Sequence, residues 1–362
     1  MNFHLSILHF IVTIQHRFQK NKIKANYKIF TLLINISSGI GDGLMAEPML
    51  RALKKSKPEI KIDLLVSTST RPIYKNNELV DQLFLLELRV LKTLKLIGLL
   101  RKRRYDAYIG TIPSNTLSQI LIPYMSNIPF RIKHRTPHRG SRDYDFLFHQ
   151  IEPIPEGRHR IECNLDLLKH VGFDNESFET KPEFLVSEIT IRTMKNNLIQ
   201  KGFDDHRILI GFHPGCNPRA AVKRWAPNNY AGLMNYFFKK WNAQILIVGG
   251  EDEKADAIQI ESLLLQKPIS YVGQADLHET AALIKQCSFF VSNDSGIMHL
   301  AVAVGIPVFA IFGPKDERHI GPYGNKHTVI RESADVNSVT VEKVVKTVLQ
   351  SEYGLKSFDN KQ

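Results

Sequence analysis

Cysteine is scarce and scattered: Cys163, Cys216 and Cys287 are the only three in 362 residues. An odd number at such wide spacing excludes a disulfide framework and a CxxC metal or redox pair, and fits a reducing compartment. Other signatures are missing as well. There is no HExxH helix, no EF-hand spacing and no GxxxxGK[ST] loop, which removes zincin, calcium-loop and P-loop chemistry. No GxSxG elbow occurs, so the common serine-hydrolase nucleophile is absent. Aromatic and basic residues are not interleaved as single-strand binders require. No stretch reads as a membrane span. Leu5–Ile14 is apolar but far short of the ~20 residues a crossing needs. It has no charged segment before it and no small-residue cleavage site after it. It reads equally as a packed N-terminal element or as an interfacial anchor assisted by the lysines behind it.

Acid is missing from the start of the chain. No Asp or Glu precedes Asp42, while Arg17, Lys20, Lys22, Lys24 and Lys28 do. Arg101–Arg104 and the series Arg131, Lys133, Arg135, Arg139 and Arg142 add to a net charge of +12. Such a surplus calls for an anionic partner but says nothing of fold. Nucleic acid would rest on charge alone and ranks last. The 43% hydrophobic and 23% charged content is that of a globular chain, and the length suits two domains.

What is there is an alternation of apolar runs and turn chemistry. Ile29–Ile36 reads as a strand, Ser37–Gly43 as a glycine loop and Leu44–Lys55 as a helix. Lys61–Val66, Leu83–Leu86 and Tyr105–Ile109 read as further strands. A second series follows: strands at Ile208–Phe212, Gln244–Val248, Ile269–Val272, Phe289–Ser292 and Val308–Phe312, with helices at Asn228–Trp241, Leu277–Gln286 and Ile297–Val304. This alternation predicts two α/β domains with parallel sheets. The expected boundaries are an N-terminal extension over 1–28, a first domain over 29–190 and a second over 191–362. In doubly wound sheets ligands bind at the carboxyl ends of strands, where every distinctive loop of this chain falls.

Four loops carry candidate chemistry. Gly39-Ile-Gly41-Asp42-Gly43 departs from a dinucleotide fingerprint, because Leu44 stands where that pattern wants Gly or Ala. Its carboxylate, Asp42, is either a helix cap or a general base. His213-Pro214-Gly215 leads into a loop with Arg219, Lys223 and Arg224 that could neutralise a phosphate, Gly215 and Arg219 being candidates for its backbone and charge. Gly249-Gly250-Glu251 places an acid beside a close backbone approach, either as a cap or as an acceptor for ribose hydroxyls. Asn293-Asp294-Ser295-Gly296 ends a buried strand and opens a helix whose free N–H groups form a ready phosphate site, with His299 one turn in.

Taken together, these segments resemble glycosyltransferase family 9, the heptosyltransferase family. GIGDGLMAEPMLRALKKSKPE is similar to its N-terminal signature, HPG with KRWAPNNYAGL to its lysine-x-tryptophan segment, and NDSGIMHLAVAVGIPVFAIFGPKD to its C-terminal signature. The likeness runs over about Ile29 to Tyr323. It departs at Lys315, where the family often has Thr, in the long leader, and over residues 110–200, which match little. The resemblance implies a GT-B fold: two Rossmann-like domains facing an interdomain cleft, acceptor on the first and nucleotide sugar on the second. It implies an inverting, metal-independent transfer of heptose from an ADP-linked donor to a phosphorylated glycolipid of the lipopolysaccharide core, with no cofactor. Asp42 matches the catalytic base, Lys223 the phosphate-binding lysine and Trp225 its neighbour. Asp294, Ser295, Gly296 and His299 match the donor-binding turn, and Glu251 the ribose acid. A cytoplasmic enzyme in peripheral contact with the acidic inner-membrane surface is expected. A GT-B nucleotide-sugar epimerase and a non-catalytic nucleotide-sugar or lipid-binding module are the alternatives.

Overall fold

The computed structural model describes residues 29–352 apart from 88, 115, 137–144 and 174–177; the apolar run Leu5–Ile14 therefore lies outside the described residues. The chain divides into two compact units between Thr180 and Lys181. The expected boundary at 190/191 falls instead inside a helix, Glu188–Gln200, which Ser187 caps by accepting the Thr190 N–H at 3.1 Å.

The first unit holds a six-stranded parallel sheet: β1 (Thr31–Asn35), β2 (Lys61–Val66), β3 (Gln82–Leu85), β4 (Ala107–Gly110), β5 (Phe130–His134) and β6 (Gln150–Glu152). Its order is β3-β2-β1-β4-β5-β6, and every neighbouring pair runs parallel. Helix α1 (Ile40–Ser56) follows β1, α2 (Val90–Arg103) follows β3, α3 (Leu117–Met125) follows β4, and α4 (Arg160–Asp166) packs on α1. The near-continuous apolar runs of β1, β2 and β4 have the character of strands covered on both faces. Leu32, Leu33, Ile34, Ile62, Leu64 and Ile109 are wholly buried.

The second unit repeats the plan with β7 (Leu209–His213), β8 (Gln244–Ile247), β9 (Ile269–Ser270), β10 (Phe289–Asn293), β11 (Val308–Ile311) and β12 (Thr328–Ile330). Its order, β12-β11-β10-β7-β8-β9, is the same topology as the first sheet read from the other edge. The helices include α5 (Glu188–Gln200), α6 (Pro227–Trp241), α7 (Lys254–Ser262), α8 (Leu277–Ile284), α9 (Gly296–Ala303) and α10 (Val341–Gln350). An aromatic cluster locks one face of the sheet: Phe289 lies edge-on to Phe237 and Phe309 at 5.7 and 5.4 Å, and Trp225 edge-on to Tyr230 at 5.1 Å.

In both units the strand order reverses between the first and fourth strands, β1/β4 and β7/β10. That switch point is where loops splay apart and an open α/β sheet accepts a ligand. The GxGDG loop leaves β1, the His-Pro-Gly loop leaves β7 and the Asn-Asp-Ser-Gly turn leaves β10.

Gly211 sits in the central strand β7, where a Cβ would lie 2.5 Å from Phe290 Cδ2 and 2.8 Å from Cys287 Sγ. Gly211→Ala is expected to lower stability by about 1–3 kcal/mol through overpacking, measured as a fall in denaturant midpoint with an unchanged slope.

Candidate active site

The second unit's loops are tied to one another by a single buried amide. Asn293, at the end of β10, is fully enclosed. Its Nδ2 donates to the carbonyls of Pro214 at 2.6 Å and Gly215 at 3.2 Å. Its Oδ1 accepts from the Tyr230 hydroxyl at 3.0 Å and the Trp225 N–H at 3.2 Å. Sequence reasoning passed over Asn293 because an Asn before Asp-Ser-Gly reads as turn chemistry; only the parallel pairing of β7 with β10 brings it beside Pro214.

This hub sets the positions of the predicted residues. Lys223 Nζ reaches Asp294 Oδ2 at 2.5 Å, with both side chains largely shielded from solvent. Ser295 caps α9 by accepting the Met298 N–H at 3.2 Å. Among the described residues no side chain caps the N–H groups of Gly296 and Ile297, and both residues are half-buried. Unfilled N–H groups and the positive end of the helix dipole favour an anion there. His299 is buried one turn further on. Lys223, Asp294, Ser295, Gly296 and Gly215 are thus gathered at the switch point of this sheet.

Trp225 differs from the expectation. It is 1% exposed, and its Nε1 donates to the Val339 carbonyl at 2.8 Å. The indole is an anchor that holds Lys223 and Arg224 in place, with no face open to a donor. Arg224 pairs with Asp256 at 2.6 Å and donates to the Cys216 carbonyl at 3.1 Å, bracing the same loop. The Arg219 side chain lies outside the described residues.

Glu251 also differs: its side chain is 72% exposed and pairs with Lys254 at 2.7 Å. The enclosed acid of that loop is Glu253, two residues on. Its Oε2 accepts the Gly250 N–H at 2.6 Å, and burial pushes its carboxyl up to about 7. A Cβ on Gly215 would sit 2.1 Å from Glu253 Cγ, so the glycine is what lets this side chain cross the His-Pro-Gly loop. His213 donates through Nδ1 to the Val248 carbonyl at 3.0 Å and is neutral in the fold, its imidazole lowered to about 4 by burial.

In the first unit α1 begins earlier than expected, at Ile40, so Gly39 is the N-cap and Asp42 is not. Asp42 stands in the first turn, half-exposed, with its carboxylate free of capping duty. Gly41 lies in the same turn. Gly43 permits tight packing: its carbonyl accepts the Tyr74 hydroxyl at 2.7 Å, and a Cβ would meet Ile73 Cδ1 at 2.6 Å. Nothing within 4 Å would oppose a Cβ at Gly39.

The charge facing Asp42 was not legible in the sequence. Arg160, at the first position of α4, interacts electrostatically with it. Burial holds the guanidinium below its usual range while Asp42 and Cys163 draw it back, and its Nε is enclosed without a hydrogen-bond partner. The helix that carries Arg160 is fixed to α1 by Asn164, whose Nδ2 donates to the Met45 carbonyl at 3.1 Å. His134 Nε2 lies 3.1 Å from Asn164 Oδ1, and burial chiefly, then Arg160, lowers His134 to about 4. The signal for Arg160 was slight: a cation opening a short helix some 120 residues after Asp42.

Two six-stranded parallel sheets of Rossmann-like topology, with these loops at their switch points, are the elements of the GT-B fold. The model of glycosyltransferase family 9 (heptosyltransferase) matches residues 93–348. The chain belongs to that family. It is 26% identical over 311 residues to lipopolysaccharide heptosyltransferase 2 of Salmonella typhimurium, covering 83% of this chain and 87% of that protein. In fold it is similar to a family 9 glycosyltransferase from Veillonella parvula (TM-score 0.78, 19% identity, 92% of this chain and 99% of that one). It is similar also to E. coli ADP-heptose lps heptosyltransferase II (TM-score 0.73, 23% identity, 90% and 99%).

Two outcomes test this geometry. Asn293→Asp keeps the size but replaces two donors with a carboxylate facing two carbonyls. It should cost about 2 kcal/mol or more and weaken nucleotide binding, read by thermal unfolding and by titration with ADP. The second concerns acid. His134, His213 and His327 all have folded values of about 4 against an ordinary 6.5. The unfolded chain therefore binds protons first, so stability is full above pH 6.5 and falls as pH drops from 6.5 towards 4. Glu253, raised to about 7, opposes this over part of the same window. His134→Gln should flatten the pH dependence of the denaturant midpoint by up to about 3 kcal/mol across it.

Proposed function

We propose that the chain transfers a heptose from an ADP-linked donor to a sugar hydroxyl of a lipopolysaccharide core acceptor, with inversion and without a metal ion. The observation that carries the reading is that Lys223, paired with Asp294, and the N-terminal end of α9 at Gly296 and Ile297 meet at the β7/β10 switch point of the second unit. The name of the E. coli structure similar in fold includes ADP-heptose, which supports the choice of nucleotide and sugar, and the Salmonella relative is by its name a lipopolysaccharide heptosyltransferase, which supports the sugar and the acceptor.

Asp42 is the general base. It takes the proton of the acceptor hydroxyl as that oxygen forms a bond to the anomeric carbon. The bond from that carbon to the diphosphate oxygen breaks on the opposite face, which inverts the centre. Arg160 is placed to keep the Asp42 carboxylate oriented until the acceptor arrives. Negative charge grows on the leaving diphosphate. The Lys223 ammonium and the N–H groups at the positive end of the α9 dipole are suited to stabilise it, the role a divalent ion fills in other enzymes. Lys223 rests on Asp294 in the free protein, so donor phosphate must share the ammonium with that carboxylate. Gly215 admits the Glu253 side chain that braces the His-Pro-Gly loop, and His299 and Ser295 shape the turn that would receive the phosphates. The epimerase alternative and the non-catalytic module are not favoured, since the family match and the half-exposed Asp42 suit transfer.

The test is a thermal shift with ADP, UDP, GDP, CDP and NAD, without added metal, followed by transfer assays on two variants. ADP alone at a hundredfold excess over Kd should add about 2.7 kcal/mol of stability. Lys223→Ala should lose that shift and reduce turnover by about 10²–10³. Asp42→Asn should keep the shift and lose turnover by about 10²–10⁴. Full turnover in Asp42→Asn would remove it from the mechanism, and selective stabilisation by another nucleotide would change the donor.

A further inference from the structure

Helix α2 does not fit the rules of an ordinary surface helix. Its inner face is conventional: Leu96, Ile97 and Leu100 are buried in the core of the first unit. Its outer face is apolar too. Val90 is 77% exposed, Leu91 82%, Leu94 51% and Leu99 45%. At 3.6 residues per turn, Val90, Leu91, Leu94 and Gly98 fall on one outward stripe, while Lys95 and Lys102 line its border. Large side chains left in water in a row mark a surface that is covered in use.

The charges along the helix itself are of one sign. The segment Val90–Arg104 has no Asp or Glu, and it carries Lys92, Lys95, Arg101, Lys102, Arg103 and Arg104. Three of these have structural work: Lys92 pairs with Glu87 at 2.5 Å, Arg101 donates to the Met125 carbonyl at 2.6 Å, and Arg103 pairs with Asp63 at 2.7 Å. The side chains of Lys95, Lys102 and Arg104 make no ion pair or hydrogen bond among the described residues, and all three residues are exposed.

We propose that the outer face of α2 is a docking surface for an anionic lipid bilayer, with Val90, Leu91, Leu94 and Leu99 dipping into the interface and Lys95, Lys102 and Arg104 meeting lipid phosphates. Apolar side chains flanked by unpaired cations on one helix are what binding in the plane of an acidic interface requires. A second copy of the chain fits poorly, because a two-fold contact through this stripe would set its lysines against their own images. Nucleic acid would leave the leucines in water. The surface is built from the first unit alone and does not depend on the transfer reaction proposed above, so its test and the donor test fail separately.

Co-sedimentation of the full chain with vesicles reads the proposal directly. Phosphatidylcholine mixed with phosphatidylglycerol should bind the protein, and phosphatidylcholine alone should bind it far more weakly. Lys95→Gln with Lys102→Gln removes two interfacial cations and should weaken binding about 30-fold. Leu91→Gln with Leu94→Gln should weaken it by about tenfold or more. All four positions are exposed, so both variants should keep the unfolding midpoint and the ADP shift. The proposal is overturned if the full chain ignores the acidic vesicles. It is overturned also if both variants bind them undiminished, which would hand the role to residues 1–28. A change from dimer to monomer in the leucine variant, with vesicle binding unaltered, would make the stripe a contact between copies and equally sink the lipid assignment.

Discussion

The Asn293 side chain is the constraint on which the loop arrangement of the second unit depends. A parallel sheet brings the ends of β7 and β10 side by side but does not join the loops that leave them. One carboxamide does so, with two N–H groups on one loop and an oxygen that receives a tyrosine hydroxyl and the Trp225 N–H. Every bond is made out of water, where an unmade one would be costly. The loop carrying Lys223 is then pinned twice more, by Trp225 to Val339 and by Arg224 to Asp256. A mobile lysine could neutralise a phosphate, but only a held one supplies charge where charge develops in the transition state without reorganisation.

The first unit solves a related problem differently. Its candidate carboxylate, Asp42, sits on a helix whose start is fixed by backbone geometry at Gly39 rather than by a capping side chain. That spares Asp42 from bonding its own helix. The restraint comes from across the unit: Asn164 holds α4 against α1, and Arg160 at the head of α4 supplies the countercharge. Neutral His134 completes the arrangement by accepting burial, which adds no second positive charge beside Arg160.

Much of the fold was legible because buried parallel strands announce themselves. Lys61–Val66 was read to the residue, and β7, β8, β10 and β11 to within one residue at either end. What escaped were elements whose burial is polar. Strand β5 reads Phe-Arg-Ile-Lys-His, yet Arg131 and Lys133 are almost wholly enclosed. Arg131 donates to the Leu147 carbonyl at 2.7 Å, and Lys133 pairs with Asp145 at 2.5 Å above the Phe148 ring. These cations looked like solvated charge awaiting an anionic partner; they are struts that satisfy carbonyls and a carboxylate inside the unit. The short β6 and β12 lack any periodicity to find, and α5 has only Met194 and Leu198 buried, so its hydrophobic signal is thin.

The same distinction governs the site. Motif spacing put Asp42, Lys223 and the Asp294–Gly296 turn at strand ends, and the fold has them there, since a strand that ends in small polar residues and then a helix has one way to present them. It could not tell an anchor from a contact. Trp225 and Glu251 stand on the candidate loops, yet one is swallowed by the core and the other stands in water against Lys254. Which of two neighbouring acids is enclosed depends on what crosses the glycine next door, and Gly215 admits Glu253 because any Cβ there would collide with it. A sequence records the residue types; the sheet's register decides which of them meet. Net charge follows the same logic. Of the cations that give the first half its surplus, Arg103, Arg131 and Lys133 are consumed by internal partners. Lys95, Lys102 and Arg104 stay unpaired on the outside of one helix, so the surplus available to an anionic surface is narrower than composition implies and is concentrated beside exposed leucine.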